Sequence, residues 1–142
     1  MSAEQELRDL IEERVRGVRA KDRDALAAQP ADDVVTFDVL PPLNSRGSGP
    51  VLEHLDQWLD SYAGPIDYAV RDVRVTAEGE LGFASFLYHV GGTLKAGGEV
   101  DMWVRATLCF RRLDGRWRIV HDHESVPFDP ATGQAQLSLE PR

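Results

Sequence analysis

The sequence predicts an α+β fold in which helices pack on one face of a curved, largely antiparallel sheet. Two helix-like segments precede the first strand-like segment, a third helix follows it, and four strand-like segments joined by short turns complete the chain. With 142 residues and no internal repeat, the chain is expected to be a single domain, 1–142, in which 129–142 form a C-terminal tail.

The first part of the chain carries two predicted helices. An amphipathic helix ending between Gly17 and Ala20 is indicated by apolar residues at helical spacing, namely Leu7, Leu10, Ile11, Val15 and Val18. A short second helix is expected before Pro30, capped by Asp22 or Asp24.

A strand and a third helix come next. Val34 to Val39 is predicted to be a short strand, because two prolines and a Gly/Ser-rich loop over residues 44–49 follow it. The third helix is expected to begin at Ser48 or Pro50 and to end before Gly64, with one broad apolar face.

In the second half the apolar period changes to two. The phase reverses near Arg71 and Asp72, which predicts a β-bulge there. Longer strands are expected over Leu81 to Leu94, Glu99 to Arg112 and Arg116 to Val126. A curved sheet facing helices leaves a gap that is either filled by side chains or used as a pocket.

Composition excludes several classes of function. The formal charge of -8 argues against nucleic acid as a partner, because nucleic-acid binding depends on clustered Lys and Arg. The single cysteine, Cys109, can form no intrachain disulfide, which favours a reducing compartment. No apolar run approaches the roughly 20 residues that cross a bilayer, and the N-terminus is too charged for a signal peptide. A cytoplasmic protein that does not enter membranes is expected.

The last strand carries the strongest candidate site. His121 and His123 lie two residues apart, and regular alternation would put them on one face with Trp117, Ile119 and Ser125. Histidine has an ordinary pKa close to neutral pH, so this pair is suited to proton transfer. The pattern predicts an apolar stripe that becomes polar as it enters a ligand pocket.

The register of the last hairpin decides which residues accompany the histidines. If Arg112 pairs with Arg116 and Gly115 is the left-handed residue of a bulged turn, Thr107 lies opposite His121. A two-residue turn at Asp114 and Gly115 would shift the register. We favour the bulged turn because it gathers the polar groups on one face: Trp103, Arg105, Thr107, His121 and His123.

Alternatives to a catalytic site remain open. A buried Arg or His beside a carboxylate is often only structural, and large aromatic side chains are more often core or pocket wall. The two histidines would also suit a metal, with a third ligand from Asp38, His54 or His89.

Three segments together resemble the SnoaL-like and ketosteroid isomerase branch of the nuclear transport factor 2-like superfamily. They run from Ala31 to Asp38, from Asp101 to Thr107 and from Asp114 to Pro127, and the similarity covers about Glu6 to Phe128. The resemblance implies a cone-shaped fold, a cystatin-like α+β roll. It also implies a homodimer built through the sheet and a largely apolar pocket.

The resemblance suggests chemistry as well as a fold. In the isomerases a carboxylate on the first strand moves a proton, and Asp38 matches its position. Their oxyanion-binding pair does not carry over, because Arg14 stands where they have a tyrosine and Thr107 near their protonated aspartate. Steroid isomerisation is therefore not expected.

We therefore expect a proton-transfer enzyme of isomerase, cyclase or lyase type that uses no cofactor and no metal. Its substrate would be a small, mostly apolar carbonyl or polyketide-like compound. Asp38 is the expected base, His121 or His123 the acid, and Arg105 the anion-stabilising group. The expected substrate contacts are Trp58, Tyr88, Trp103 and Thr107. The alternative is a non-catalytic ligand-binding or dimeric interaction domain.

Overall fold

The computed structural model describes all 142 residues as three helices packed on one six-stranded sheet. The elements in chain order are α1 (Ala3–Ala20), α2 (Arg23–Ala27), β1 (Pro30–Phe37), β2 (Ser45–Arg46), α3 (Ser48–Asp60), β3 (Asp67–Glu78), β4 (Leu81–Thr93), β5 (Glu99–Leu113) and β6 (Arg116–Ser125). The strand order is β2-β1-β6-β5-β4-β3, and only β1 and β6 pair in parallel. The predicted α+β class is confirmed. The two-residue strand β2 lies in the segment that the sequence predicts to be a loop.

Helix α1 is set by its caps and by its apolar face. Ser2 accepts a hydrogen bond from the backbone N–H of Gln5 at the start, and Lys21 adopts a left-handed conformation at the end. Leu7 and Ile11 are buried against the sheet. Asp22 caps α2 as predicted. None of the three helices combines the length and the apolar character that crossing a bilayer requires.

Strand β3 is irregular near its middle. The register with β4 shifts between Arg71 and Arg74, and Asp72 takes a positive φ of 56°. This confirms the predicted bulge. We call the face of the sheet that carries the helices the inner face and the opposite face the outer face. The largest fully buried side chains are Phe110, Leu7, Ile11, Ile66, Leu108, Val34 and Val104.

The last hairpin is tighter than predicted. Asp114 and Gly115 have φ values of 52° and 78°, and Leu113 pairs with Arg116, so the connection is a two-residue turn of type I′ geometry. The predicted bulged turn, with Arg112 opposite Arg116, is wrong. Asp-Gly is a favoured sequence for the two-residue turn, because its twist matches that of the flanking strands.

A second irregularity lies inside β6. Phe110 pairs with Ile119, but the next pair is Cys109 with His121, so Val120 is an extra residue. The extra residue reverses the alternation that follows it. Trp117 and Ile119 are buried on the inner face, and so are Asp122 and Glu124, whereas the histidines turn outward. The prediction that His121 and His123 share a face with Trp117 and Ile119 is therefore wrong.

The C-terminal tail follows the edge of the sheet beyond β6. Phe128 and Ala135 form an isolated bridge, and the backbone N–H of Trp103 donates to the carbonyl of Leu137 at 3.0 Å. The tail thus continues beside β5 where β6 has ended.

Candidate functional site

A cavity of about 450 Å³ lies between the helices and the inner face of the sheet. Of its 27 lining residues, 18 are hydrophobic, and they come from all the major layers of the fold. Examples from α1, α3, β4 and β5 are Val18, Leu55, Trp58, Val90 and Met102. Both the volume and the apolar wall are typical of sites for small organic molecules.

An aspartate and a histidine meet at one side of this cavity. Asp38 follows the end of β1, and His54 lies on α3 with its Nε2 3.3 Å from Oδ2 of Asp38. Oδ1 of Asp38 accepts a hydrogen bond from the backbone N–H of Val39 at 2.6 Å. Both side chains are about one-third exposed, at 29% and 32%, so a ligand in the cavity can reach them.

The environment makes Asp38 a stronger base than a carboxylate in water. Burial raises its pKa, and Glu124 raises it further whenever that group is ionised. His54 and the backbone N–H groups of Val39 and Leu40 act in the opposite direction without cancelling the shift. A carboxylate with a raised pKa binds a proton more readily near neutral pH.

A second group of polar residues lies where the side chain of Arg14, on α1, reaches two carboxyl groups on β6. Nη2 of Arg14 is 3.2 Å from Oε2 of Glu124 and 3.5 Å from Oδ2 of Asp122. The hydroxyl of Tyr88 donates to Oε1 of Glu124 at 2.5 Å, and Arg14 also donates to the hydroxyl of Tyr68 at 3.5 Å. All five residues line the cavity, and we call them the Arg14 network.

Glu124 is the residue of the Arg14 network with the most altered acidity. Burial and the repulsion from Asp122 raise its pKa to about 8, although Arg14 and the hydrogen bond from Tyr88 oppose the shift. The carboxyl group of Glu124 therefore carries a proton for most of the time at pH 7. A protonated carboxyl group in an apolar cavity can act as a general acid.

Two further oxygen atoms on the cavity wall have no partner. Oγ1 of Thr36 and Oδ1 of Asp122 are buried, and neither takes part in a hydrogen bond. Their residues are paired on the neighbouring strands β1 and β6. Unpaired buried polar atoms are uncommon in folded proteins, because each forgoes the hydrogen bonds it makes in water.

The structure divides the residues proposed from the sequence into two groups. Asp38, Trp58 and Tyr88 line the cavity. The other five do not line it, because they lie on the outer face: Trp103, Arg105, Thr107, His121 and His123. The prediction that these five residues share one face is confirmed, but that face is the outer one, so they do not surround a pocket with Asp38. The histidines face outward because Val120 is inserted. The β5 residues face outward because the two-residue turn pairs Leu113 with Arg116.

The outer-face residues have contacts of their own. His121 donates through Nδ1 to the carbonyl of Val35 at 2.8 Å, and the ring of Phe37 packs edge-on against both histidines. Nε of Arg105 donates to Oγ of Ser125 at 3.1 Å. No three His, Cys, Asp or Glu side chains in the chain come together as metal ligands, so the metal alternative lacks a third ligand.

Sequence reasoning missed the acidic half of the last strand. The run from His121 to Glu124 alternates two histidines with two carboxylates, so one pair must face inward and the other outward. Regular alternation from Trp117 would place the histidines on the inner face. Asp122 and Glu124 face inward only because of the bulge. His54 had a readable signal, since it shares the apolar stretch of α3 with Leu55 and Trp58.

Comparison with known proteins gives a family match and a consistent fold. The model of the family described as SnoaL-like domain matches residues 7–129. A nuclear transport factor 2-like protein of unknown function from Pseudomonas putida KT2440 is 33% identical, with a TM-score of 0.90 over 98% of this chain and 96% of that one. No curated protein matches the chain.

More distant solved structures share the fold alone. A nuclear transport factor 2-like superfamily protein from Salmonella enterica has 16% identity and a TM-score of 0.78, covering 94% of this chain and 96% of that one. A similar protein with a cystatin-like fold from Novosphingobium aromaticivorans has 20% identity and a TM-score of 0.73, covering 91% and 84%.

Proposed function

The chain belongs to the SnoaL-like domain family, and from that premise we propose that it is a cofactor-independent enzyme that moves a proton on a small, mostly apolar carbonyl compound. One observation carries the proposal. A carboxylate held by a histidine and a carboxyl group held by a tyrosine line the same apolar cavity. Such a pair supplies both a base and an acid.

Asp38 is the proposed base. Its raised pKa suits proton removal from a carbon next to a carbonyl group, and its side chain lines the cavity and is 29% exposed. His54 holds the side chain through Oδ2 and stabilises its charged form. His54 is therefore proposed as a positioning residue.

Glu124 is the proposed acid, in place of the histidines expected from the sequence. Asp38 takes the α-proton, and Glu124 gives its proton to the carbonyl oxygen, so that a neutral enol forms. Return of a proton to a different carbon completes an isomerisation. The charges of the step balance, because Asp38 becomes neutral as Glu124 becomes negative beside Arg14.

Hydrogen exchange tests the proposal without knowledge of the natural substrate. Wild-type protein is expected to accelerate exchange of the α-hydrogens of the bicyclic ketone α-tetralone in deuterium oxide, as followed by proton NMR. Asp38→Asn should lose about 100-fold of that rate, because a positioned base commonly contributes at least this much. Binding of the ketone, measured by calorimetry, should be retained.

A matched control lies on the surface. Asp101 forms a similar pair with His89, whose Nε2 lies 2.6 Å from Oδ1, but its side chain is 83% exposed outside the cavity. Asp101→Asn is expected to leave the exchange rate unchanged. Equal rates for wild type and Asp38→Asn would overturn the proposal.

A non-catalytic ligand-binding protein is the second candidate. It is favoured by the Arg14 network, whose members bond mainly to one another and so hold the cavity open as a fixed wall. The same experiment separates the candidates. Tight binding of a ketone with no acceleration of exchange in wild-type protein would support the second candidate over the first.

We also propose a homodimer through the outer face of the sheet. The helices leave this face uncovered, and it exposes Phe37 and Phe83. Light scattering should give twice the chain mass for wild type, and Phe83→Glu should shift the population towards the monomer because it introduces charge into an apolar contact. A monomeric wild type would contradict this proposal.

A further inference from the structure

Two histidines on the outer face take no part in the proposed reaction. His121 and His123 occupy successive outward positions of β6, and their ring centroids are 6.0 Å apart. Phe37, on the neighbouring strand β1, packs edge-on against both rings, at centroid distances of 4.9 and 5.4 Å. The strand and one shared aromatic neighbour therefore hold the two imidazoles as a pair.

Each ring of this pair has a nitrogen that no protein group uses. Nδ1 of His121 donates to the carbonyl of Val35, so Nε2 carries the free lone pair when the ring is neutral. The buried polar atoms that lack a partner do not include Nε2 of His121, which is therefore accessible from outside. His123 is exposed, and its ring forms no hydrogen bond with the protein. A backbone carbonyl behind a histidine, as at His121, is common in metal sites.

The spacing of the rings suits coordination of one metal ion by both. A zinc–imidazole bond is ~2.0 Å long and the ring centre lies ~1.2 Å behind the nitrogen, so two imidazoles on one ion have centroids ~5.2 Å apart at the tetrahedral angle and ~6.4 Å apart when opposed. The observed 6.0 Å lies between these values. Small side-chain rotations of His121 and His123 are therefore enough for both to bind one ion.

The donor atoms define the class of ion. Imidazole nitrogen is a preferred ligand of Zn²⁺ and of other first-row transition metals, whereas Ca²⁺ and Mg²⁺ prefer oxygen. The formal charge of -8 on each chain favours a cation over an anion. A divalent ion between two copies would also reduce the repulsion between them.

The chain alone supplies half of a complete zinc site. Structural zinc ions are almost always bound by four ligands. No third His, Cys, Asp or Glu side chain of the chain joins His121 and His123. A two-fold interface presents the same surface on both copies, so a second copy brings the same two imidazoles.

The histidine pair also lies within the surface of the proposed homodimer. Ladder pairing puts Phe83 of β4 and Cys109 of β5 in one row with His121. On the other side of His121, Phe37 of β1 contacts both histidines. Phe83 is 50% exposed and Phe37 is 37% exposed, so apolar surface flanks the pair on both sides. Contact between two copies over this surface brings both pairs to the same interface.

We infer that the outer face carries half of a site for a divalent first-row transition-metal ion, and that His121 and His123 of two copies bind one ion between them. The inference rests on the proposed homodimer and is independent of the proposed proton transfer. It gives the ion a role in association of the chains and none in the cavity.

Calorimetric titration with zinc chloride tests the site. The full chain, treated with EDTA and then freed of the chelator, is expected to bind one Zn²⁺ per two chains, and magnesium chloride should produce no binding heat. His123→Ala removes two of the four ligands. The affinity for zinc should then fall by at least about 100-fold, since loss of a group that only supports a ligand already costs ~10–100-fold. His121→Ala should have the same effect.

His89 supplies the matched control. It lies on β4 outside the cavity, its side chain is 30% exposed, and it pairs with Asp101. His89→Ala should keep both the affinity of the wild type and the ratio of one Zn²⁺ per two chains. Zinc binding that survives His123→Ala in folded protein would overturn the inference, and so would binding of one Zn²⁺ per chain.

Association measured with and without zinc tests the contribution of the second copy. Zinc should lower the dimer dissociation constant of the wild type by at least about tenfold in analytical ultracentrifugation, because an ion that binds only the dimer stabilises it by mass action. The constant of His123→Ala should not respond to zinc. A wild-type constant that does not respond would overturn the inference.

The outcomes separate this inference from the other proposals. A wild-type dimer that binds no zinc would remove the metal site and leave the homodimer standing. A protein that stays monomeric with and without zinc would remove both. Neither outcome alters the proposed proton transfer, because exchange of the α-hydrogens of α-tetralone is measured on metal-free protein.

Discussion

Both faces of the strand pair β5 and β6 carry polar side chains, but the two faces differ in how far these side chains are buried. On the inner face, Asp122 and Glu124 are nearly out of contact with solvent and are held by Arg14. On the outer face, His123 is exposed and His121 bonds only to a backbone carbonyl. The capacity of these side chains for proton transfer therefore depends on their burial and not only on their residue type.

The difference between the faces depends on one residue. Val120 is unpaired between two regular stretches of the hairpin, and without it the histidines would point at α1. Arg14 would then face two imidazoles instead of two carboxylates. The bulge turns the carboxyl groups inward, and Arg14 pairs with them there. The two features depend on each other, because a buried carboxylate is tolerated only when it is paired and hydrogen-bonded.

The largest effect on the free energy of unfolding is expected from replacement of Arg14, which pairs with the buried carboxyl groups of the inner face. Arg14→Met leaves the carboxylate of Asp122 buried without its cation and removes a hydrogen bond to Glu124, so the free energy of unfolding should fall by about 3 kcal/mol at pH 7, as for other broken buried ion pairs. Urea denaturation measures it. Arg16→Met, on the same helix and 67% exposed, is the control and should change stability by less than about 0.5 kcal/mol.

A rescue variant makes that prediction sharper. Adding Asp122→Asn to Arg14→Met removes the carboxylate that has lost its cation, so part of the lost stability should return. A loss of less than about 1 kcal/mol in Arg14→Met itself would mean that the inner carboxylates do not depend on Arg14.

A smaller effect should appear in the pH dependence of stability. The pKa of Glu124 is raised to about 8 in the folded protein from an ordinary value of 4.5, so between these values the folded state holds a proton that the unfolded state has lost. Stability contributed by this group is complete below pH 4.5 and decreases as the pH rises towards 8. The slope is at most about 1.4 kcal/mol per pH unit.

Comparison of wild type with Glu124→Gln isolates this contribution. Urea denaturation at pH 5, 6, 7 and 8 should show that the difference in stability between the two proteins changes with pH in favour of the variant as the pH rises. A difference that stays constant across this range would show that Glu124 ionises normally, and it would then be unsuitable as an acid.

Most of the fold could be predicted because it depends on local patterns. The apolar spacing of α1, the cap at Asp22 and the phase reversal at Asp72 each act within a few residues, and the sequence displays them directly. β2 was missed because two residues, Ser45 and Arg46, are too few to show a period.

The candidate site was harder to predict because it depends on a register. Asp38 could be placed from the strand that carries it and from the family resemblance. Glu124 could not, because nothing in the residues around Val120 distinguishes a bulge from regular alternation, and one extra residue exchanges the two faces. The type I′ turn had a local signal in Asp114 and Gly115, but that turn alone does not locate the bulge.

The smallest effects are expected on the outer face, where the sequence pointed first. His123→Ala should change the free energy of unfolding by less than about 0.5 kcal/mol because the side chain is exposed. His121→Ala should cost about 1 kcal/mol, since it removes the hydrogen bond to the carbonyl of Val35. Neither variant should alter α-hydrogen exchange of α-tetralone by more than about twofold, because neither ring lines the cavity. A tenfold loss of exchange in either variant, with stability retained, would place chemistry on the outer face and remove the contrast between the two faces of the sheet.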